Sequence, residues 1–285
     1  MPDPELPITV IAAYRFVAID DPQALRAQLH GEAAAAGLKG TVLIASEGIN
    51  LTLAGPDAAL QGWLGALQAD ARFATLELKS HRAAQLPFRA LKVKVKPEII
   101  RMNQPTIQPQ AGRAPAVDAA TLARWLAAGR CDEGRDVVML DTRNGFEVDA
   151  GAFEHALDWR LRKFSDFPAA LAAHRAELQG KTVVSYCTGG IRCEKAALWM
   201  AQAGVEHVLQ LDGGILRYFE AAPGEPGWRG DCFVFDEREG LDAGLAEHAS
   251  SASPSLAANS PNGVGARFNS AASHARLRFH ASRPV

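Results

Sequence analysis

One cysteine, set between a strand and a helix, limits most strongly the folds open to this chain. Residues 182–186 read TVVSY, an apolar run rich in β-branched side chains, and residues 193–203 have helical periodicity. Between them lies Cys187-Thr188-Gly189-Gly190-Ile191-Arg192. Strand, tight loop and helix make the repeating unit of a parallel sheet. The paired glycines let the backbone curl so that successive amides point inward. The following helix offers its positive N-terminal end, and Arg192 adds a permanent charge. All three favour a thiolate, or an anionic persulfide, over the neutral thiol. Cys187 is therefore the candidate nucleophile or sulfur carrier, and Arg192 its charge partner. Thr188, Gly189, Gly190 and Ile191 supply the anion cradle. The competing reading is an inert buried cysteine in a glycine turn. A cysteine-phosphatase loop would place five residues between Cys and Arg. Here four intervene, and the smaller ring suits one sulfur atom better than a tetrahedral oxyanion.

The rest of the second half alternates in the same way. Val117-Asp118 caps a helix to about Ala128, and residues 137–141 form a buried-type strand. Residues 167–178 are helical, 207–211 strand-like, and 214–221 helical again. The expectation is a parallel-sheet α/β domain over 117–245, with any ligand crevice at the carboxyl ends of its strands. Before it, residues 1–102 give the order β-α-β-β-α-β, a ferredoxin-like α+β module. Its second helix places Leu60, Trp63, Leu64 and Leu67 at helical spacing, and residues 75–79 and 91–95 look extended. Residues 103–116, with Pro105, Pro109 and Pro115, read as a linker. Residues 246–285 are Ser/Ala/Asn-rich without an apolar period, which predicts a disordered tail.

Charge gives little global guidance. The 285 residues carry 30 Lys+Arg against 32 Asp+Glu, a net charge of -2, so a polyanion would need a local basic patch. One is visible: Lys79, His81, Arg82, Arg89, Lys92, Lys94 and Lys96 crowd a short segment. In 91–96 the lysines alternate with Leu91, Val93 and Val95, which on a strand sends them to one face. Arg89, Lys92, Lys94 and Lys96 are the candidate phosphate contacts of a nucleic acid, with a merely solvated face as the alternative. Arg160, Arg162 and Lys163 are candidates to extend the patch. The four cysteines, Cys131, Cys187, Cys193 and Cys232, include no CxxC pair, and no histidine cluster is legible. No metal or flavin site is expected. Glu194 and Lys195 are expected to be solvated. No membrane span and no leader are legible in the sequence, which places the expected location in the cytoplasm.

The motifs also carry a resemblance. CTGGIR (187–192) resembles the active-site loop of the rhodanese superfamily. Leu140-Asp141-Thr142-Arg143-Asn144, followed by Glu147 and Gly151-Ala152-Phe153, resembles the rhodanese Asp-x-Arg segment. Leu211-Asp212-Gly213-Gly214-Ile215 resembles its later strand–turn. CTGGIRCEKAALWM (187–200), KGTVLIASEGINLTLAG (39–55), PFRALKVKVKPEII (87–100) and WRGDCFVFDER (228–238) together resemble the bacterial tRNA uridine hydroxylases. The fold this implies is a rhodanese-like domain preceded by a ferredoxin-like one. The implied reaction is oxygen-dependent hydroxylation of the wobble uridine, position 34, to 5-hydroxyuridine. Molecular oxygen is then the co-substrate, and the anticodon region of tRNA the partner. Cys187 matches the family's essential cysteine, read by rhodanese analogy as persulfide-forming, and Arg192 with the backbone of residues 188–191 matches the cradle. Cys193 either assists Cys187 or simply starts the helix. Asp141 and Arg143 either form an ion pair bracing the loop or a surface pair of little weight. Longer members carry extra C-terminal cysteines; none follows Cys232 here, so a metal role of such a tail is excluded. Two alternatives stay open: a persulfide sulfurtransferase acting on tRNA or a small thiol, and a non-enzymatic tRNA-binding module. The N-terminal lysines weigh against a small-molecule enzyme.

Overall fold

The computed structural model describes residues 7–221, 227–236, 238 and 240–242. The reading of 246–285 as a tail lies outside them. The first half begins with β1 (Ile8–Phe16), α1 (Pro22–Ala35), β2 (Lys39–Ala45), β3 (Gly48–Pro56), α2 (Asp57–Gln68), β4 (Leu78–Ala83) and β5 (Leu91–Val95). Asp21 starts α1 by accepting the amides of Gln23 and Ala24, with Pro22 at the first helical position. The sheet order is β4-β1-β3-β2-β5. The first four strands give the ferredoxin-like arrangement, and β5 adds a fifth strand parallel to β2. The α-helices cover one face: Leu25, Leu29, Leu60, Trp63, Leu64 and Leu67 pack on Ile11, Val42, Leu51 and Val93.

The fourth strand starts later than residues 75–79 suggest. A turn ladder, Phe73 N–H to Asp70 O and Leu76 N–H to Phe73 O, uses up that stretch. Arg72 clasps the Asp70 carboxylate there, so extended structure begins only at Leu78.

Residues 103–115 carry one short 3₁₀ turn, Pro109–Ala111. Met102, Ile107, Pro109 and Ala114 within and beside it are buried. The second half follows as β6 (Ala116–Val117), α3 (Ala119–Ala128), β7 (Val137–Asp141), α4 (Gly145–Ala150), β8 (Gly151–Phe153), β9 (Leu157–Asp158), α5 (Phe167–His174) and β10 (Thr182–Tyr186). After these come α6 (Ile191–Gln202), β11 (Val208–Leu211), α7 (Gly214–Ala221), β12 (Trp228–Gly230), β13 (Cys232–Phe233) and β14 (Gly240–Leu241). Asp118 caps α3 through the Thr121 amide. The main sheet, β6-β11-β10-β7-β9, is parallel throughout. Apolar layers lie on both faces, as a parallel sheet requires. The carboxyl ends of β7, β10 and β11 therefore emerge side by side. They deliver residues 142–144, 187–190 and 212–213 to one edge.

Candidate active site

Cys187 directly follows β10, and its side chain is fully buried. The loop curls as the glycines suggest. Gly190 has φ +96°, a conformation only glycine adopts freely, and its amide donates to the Cys187 sulfur at 3.1 Å. The turn before α7 presses against this loop from behind. A Cβ on Gly214 would stand 2.4 Å from the Cys187 carbonyl oxygen and 2.7 Å from the Gly190 nitrogen, so no side chain fits there. The amides of Ile215 and Leu216 bind the carbonyls of Cys187 and Thr188. The LDGGI segment thus fixes the curvature of the cysteine loop.

Burial by itself pushes the Cys187 thiol up. The Cys193 thiol, the Arg192 guanidinium and the amides of Cys193 and Arg192 outweigh it and bring the value down to about 5. Cys193 moves the opposite way, well above the usual thiol range, through its own burial and the neighbouring anion. Both directions favour the proton of the pair on Cys193 and the negative charge on Cys187. Cys193 therefore touches the sulfur as well as opening α6, and its own sulfur rests 3.6 Å from the Thr142 hydroxyl. Cys232, also buried, is pushed up to about 12 by desolvation and stays protonated.

Asp141 and Arg143 form a pair with both side chains fully buried, not a surface contact. Arg143 also donates to the carbonyls of Glu147, within α4, and of Gly151, at its C-terminal end, which ties this helix to the loop. Glu147 then meets Arg192 with both carboxylate oxygens, at 2.6 and 2.8 Å, and closes a capping box on the Asn144 amide. Arg192 is thus held by Glu147 while its charge acts on Cys187. Nothing in the sequence reading gave Glu147 this role, although its place three residues after Asn144 marks a helix cap.

The first half of the chain closes over this edge. Ala45 and Ile99 pack on Ile191 of the cysteine loop, with Tyr14, Phe16 and Ile100 around them. The Tyr14 hydroxyl donates to Glu194 at 2.8 Å, and Arg113 donates to the other oxygen of the same carboxylate. Lys195 binds Glu47, Glu98 and the Ile100 carbonyl. Glu194 and Lys195 are buried, contrary to the expectation of solvated residues at a helix start. Their partners lie up to 180 positions away, beyond the reach of local pattern. A cleft of about 250 Å³ opens at this junction, lined by Tyr14, Phe16, Lys79, Gly112, Arg113 and Glu194 among others. Cys187 is not part of its wall. Tyr14 lines the cleft and also stands beside the cysteine loop: its hydroxyl lies 3.1 Å from where a Cβ on Gly190 would stand.

The basic segment divides in two. Arg89, Lys92, Lys94 and Lys96 are exposed, and Val93 between them is buried under α1, as alternation predicts. Lys79 is instead buried, on the opposite edge strand, and His81 is held neutral, down to about 4, mainly by burial. Sequence proximity hid this split, because β4 and β5 leave the 84–90 turn toward opposite sides of the sheet. Arg160 does not extend the patch; it is taken up by Asp149 and Asp158. Lys163 lies 3.9 Å from Asp166. Among the described residues, no three His, Cys, Asp or Glu side chains gather where a metal ion would sit.

Comparison with known proteins agrees with this architecture. Residues 8–99 match the UPF0176 acylphosphatase like domain, and residues 120–221 the rhodanese-like domain. The tRNA uridine(34) hydroxylase of Bordetella petrii is 63% identical over 236 residues, covering 83% of this chain and 93% of that protein. The one from Bordetella pertussis is 62% identical over 239 residues, covering 84% and 98%. That of Variovorax paradoxus is 59% identical over 243 residues, covering 85% and 92%. The family models match both halves and the relatives cover more than four fifths of the sequence, and the chain belongs to the tRNA uridine(34) hydroxylase family.

Proposed function

We propose that this protein is an oxygen-dependent oxidoreductase that converts the wobble uridine of tRNA to 5-hydroxyuridine. Cys187 is the group that engages the uracil ring. The observation that carries the reading is the seat of Cys187: the Gly190 amide donates to its sulfur, and a neighbouring thiol and guanidinium favour its anion over the neutral thiol. C5 of uracil must lose hydrogen and gain oxygen, a two-electron oxidation of the ring, with molecular oxygen as co-substrate. A thiolate prepares the ring for this step. Its lone pair forms a bond to C6, and the C5–C6 π pair moves toward the C4 carbonyl, leaving an enolate with O4 negative and C5 electron-rich. C5 then takes one oxygen atom of O2, and the second leaves as water at the cost of two electrons and two protons, supplied by two equivalents of an external thiol that become a disulfide. Loss of the C5 proton and departure of the thiolate restore the C5–C6 double bond and leave 5-hydroxyuracil. Arg192 and the loop amides hold the sulfur both when it attacks and when it leaves.

The exposed Arg89, Lys92, Lys94 and Lys96 are proposed to bind the phosphates of the anticodon arm. The setting is the cytoplasm, where tRNA is found. No helix among the described residues is long and apolar enough to cross a membrane.

The test is mass spectrometry of tRNA nucleosides from a strain lacking this gene and supplied with the wild-type or the Cys187→Ser chain. The wild type restores 5-hydroxyuridine and the variant does not. Undiminished modification with Cys187→Ser overturns the role of the sulfur. A purified chain that moves sulfur from thiosulfate to cyanide, in a strain whose tRNA nucleosides never change, favours the sulfurtransferase instead.

A further inference from the structure

Lys79 is only 4% exposed, yet its ammonium has no hydrogen bond or ion pair among the described residues. What it has is the face of Tyr14, with Nζ 5.4 Å from the ring centroid. Burial disfavours its charge, and the Cys187 sulfur, Glu77 and Asp212 act to keep it, while Arg217 opposes them. A buried lysine without a hydrogen-bond partner costs folding free energy, and one that lines a cleft is placed to recover it by binding a ligand there. Lys79 lines the cleft that also holds Tyr14, Phe16, Arg113 and Glu194. An aromatic wall, a free cation and a carboxylate make a pocket for a flat polar ring. Its volume is below the ~300–1,000 Å³ of sites for drug-sized ligands and fits one base better than a larger group.

We propose that this cleft receives the target base and that Lys79 binds the C4 oxygen of uracil, selecting uridine over cytidine. The inference rests on the function proposed above and names the residue that reads the base. An ammonium has donors and no acceptor. It satisfies O4 of uracil and meets a donor, the 4-amino group, in cytosine.

Register links this cleft to the lysine stripe. Lys79 stands opposite Ala12, Ala12 opposite Thr52, Thr52 opposite Thr41, and Thr41 opposite Lys92. In-register neighbours share a face, so Lys79 and Lys92 lie on the same side of the sheet, the side away from the helices. Four strand spacings separate them, about 19 Å. A strand of RNA held by Lys92 and Lys94 can therefore turn one base toward Lys79 without leaving that face.

The test is equilibrium binding of anticodon stem-loop RNAs, alike except for U or C at position 34, to the full chain. The wild type is expected to prefer U34 by about tenfold, the weight of one charge-assisted hydrogen bond. Lys79→Met should bring the two RNAs within about twofold by weakening U34 binding alone, and Lys79→Arg should keep part of the preference. Replacing an unpaired buried cation with an apolar chain of similar length should leave the melting temperature unchanged or raise it. A wild type that binds both RNAs equally, a preference that survives in Lys79→Met, or a Lys79→Met chain that melts well below the wild type each overturns the proposal. Binding requires no hydroxylation. Selective binding through Lys79 by a chain that makes no 5-hydroxyuridine would sink the proposed function and leave this assignment standing.

Discussion

The chemistry of Cys187 depends on where one proton sits. With Cys193 as donor and Arg192 beside it, the Cys187 thiol is expected to ionise well below the ordinary thiol range, down to about 5. A thiol with a depressed value gains its charge as pH rises through that value, so alkylation by a small reagent should rise near pH 5 and level off before neutrality. An ordinary thiol would still be rising at pH 8.5. Cys193→Ala removes the neighbouring donor and should move the inflection upward. A profile unchanged by that substitution would show that Cys193 merely begins the helix. Much of this residue-scale picture is legible in the sequence, because cysteine, glycines and arginine fall within six consecutive positions. Glu147, Glu194 and Tyr14 are not legible in the same way. Each acts through a partner 45 to 180 positions away, and pairing at that distance is set by the tertiary fold.

At the scale of elements, alternation reads β5 well: Val93 points into the core and Lys92 and Lys94 point out. It fails at β4. The residues before Leu78 are claimed by a turn, and the lysine that follows points toward a neighbouring module instead of water. Pattern alone has no signal for a sheet face that is covered by another part of the chain. Lys195 illustrates the same limit on α6, where a polar helix face proves to be an interior one. The stripe on β5 gives a separable prediction. Each phosphate contact contributes a slope of roughly −0.7 to log affinity against log salt for single-stranded RNA. Replacing Lys92, Lys94 and Lys96 with Ala should weaken tRNA binding and flatten the slope by about 2, measured by anisotropy across a salt series. An unaltered slope would remove these lysines from the RNA contact, whatever happens at Lys79.

For the whole molecule the question is whether the two modules act as one folding unit, since Tyr14 meets the cysteine loop, and Lys79 the Glu194 side of the cleft, only if they stay docked. The apolar seam between them is small, built on Ala45, Ile99 and Ile191. Much of the coupling must then come from Lys195, which joins Glu47 and Glu98 across the junction with all three side chains largely buried. Removing one partner of such a cluster costs about 3–5 kcal/mol when fully buried, and here somewhat less because the carboxylates keep backbone amides. Four of the five tryptophans, Trp125, Trp159, Trp199 and Trp228, belong to the second module, so fluorescence reports mainly on it and far-UV circular dichroism on both. In urea the two signals should trace one transition for the wild type and part company in Lys195→Met, with the β1–β5 module melting first. Acid should act in the same direction. Burial raises the Glu98 carboxyl, but its hydrogen bonds to Lys195 and to the Met102 and Asn103 amides hold it below the usual value. A carboxyl depressed in the folded state contributes fully above its unfolded value, roughly pH 4.3, and loses that contribution as pH falls through the folded value. Coincident transitions should thus hold from neutrality to about pH 5 and separate only below about pH 4. Transitions that already differ at pH 7 in the wild type would mean that the cysteine loop and its covering sheet are joined too loosely for Lys79 to stand guard over the base.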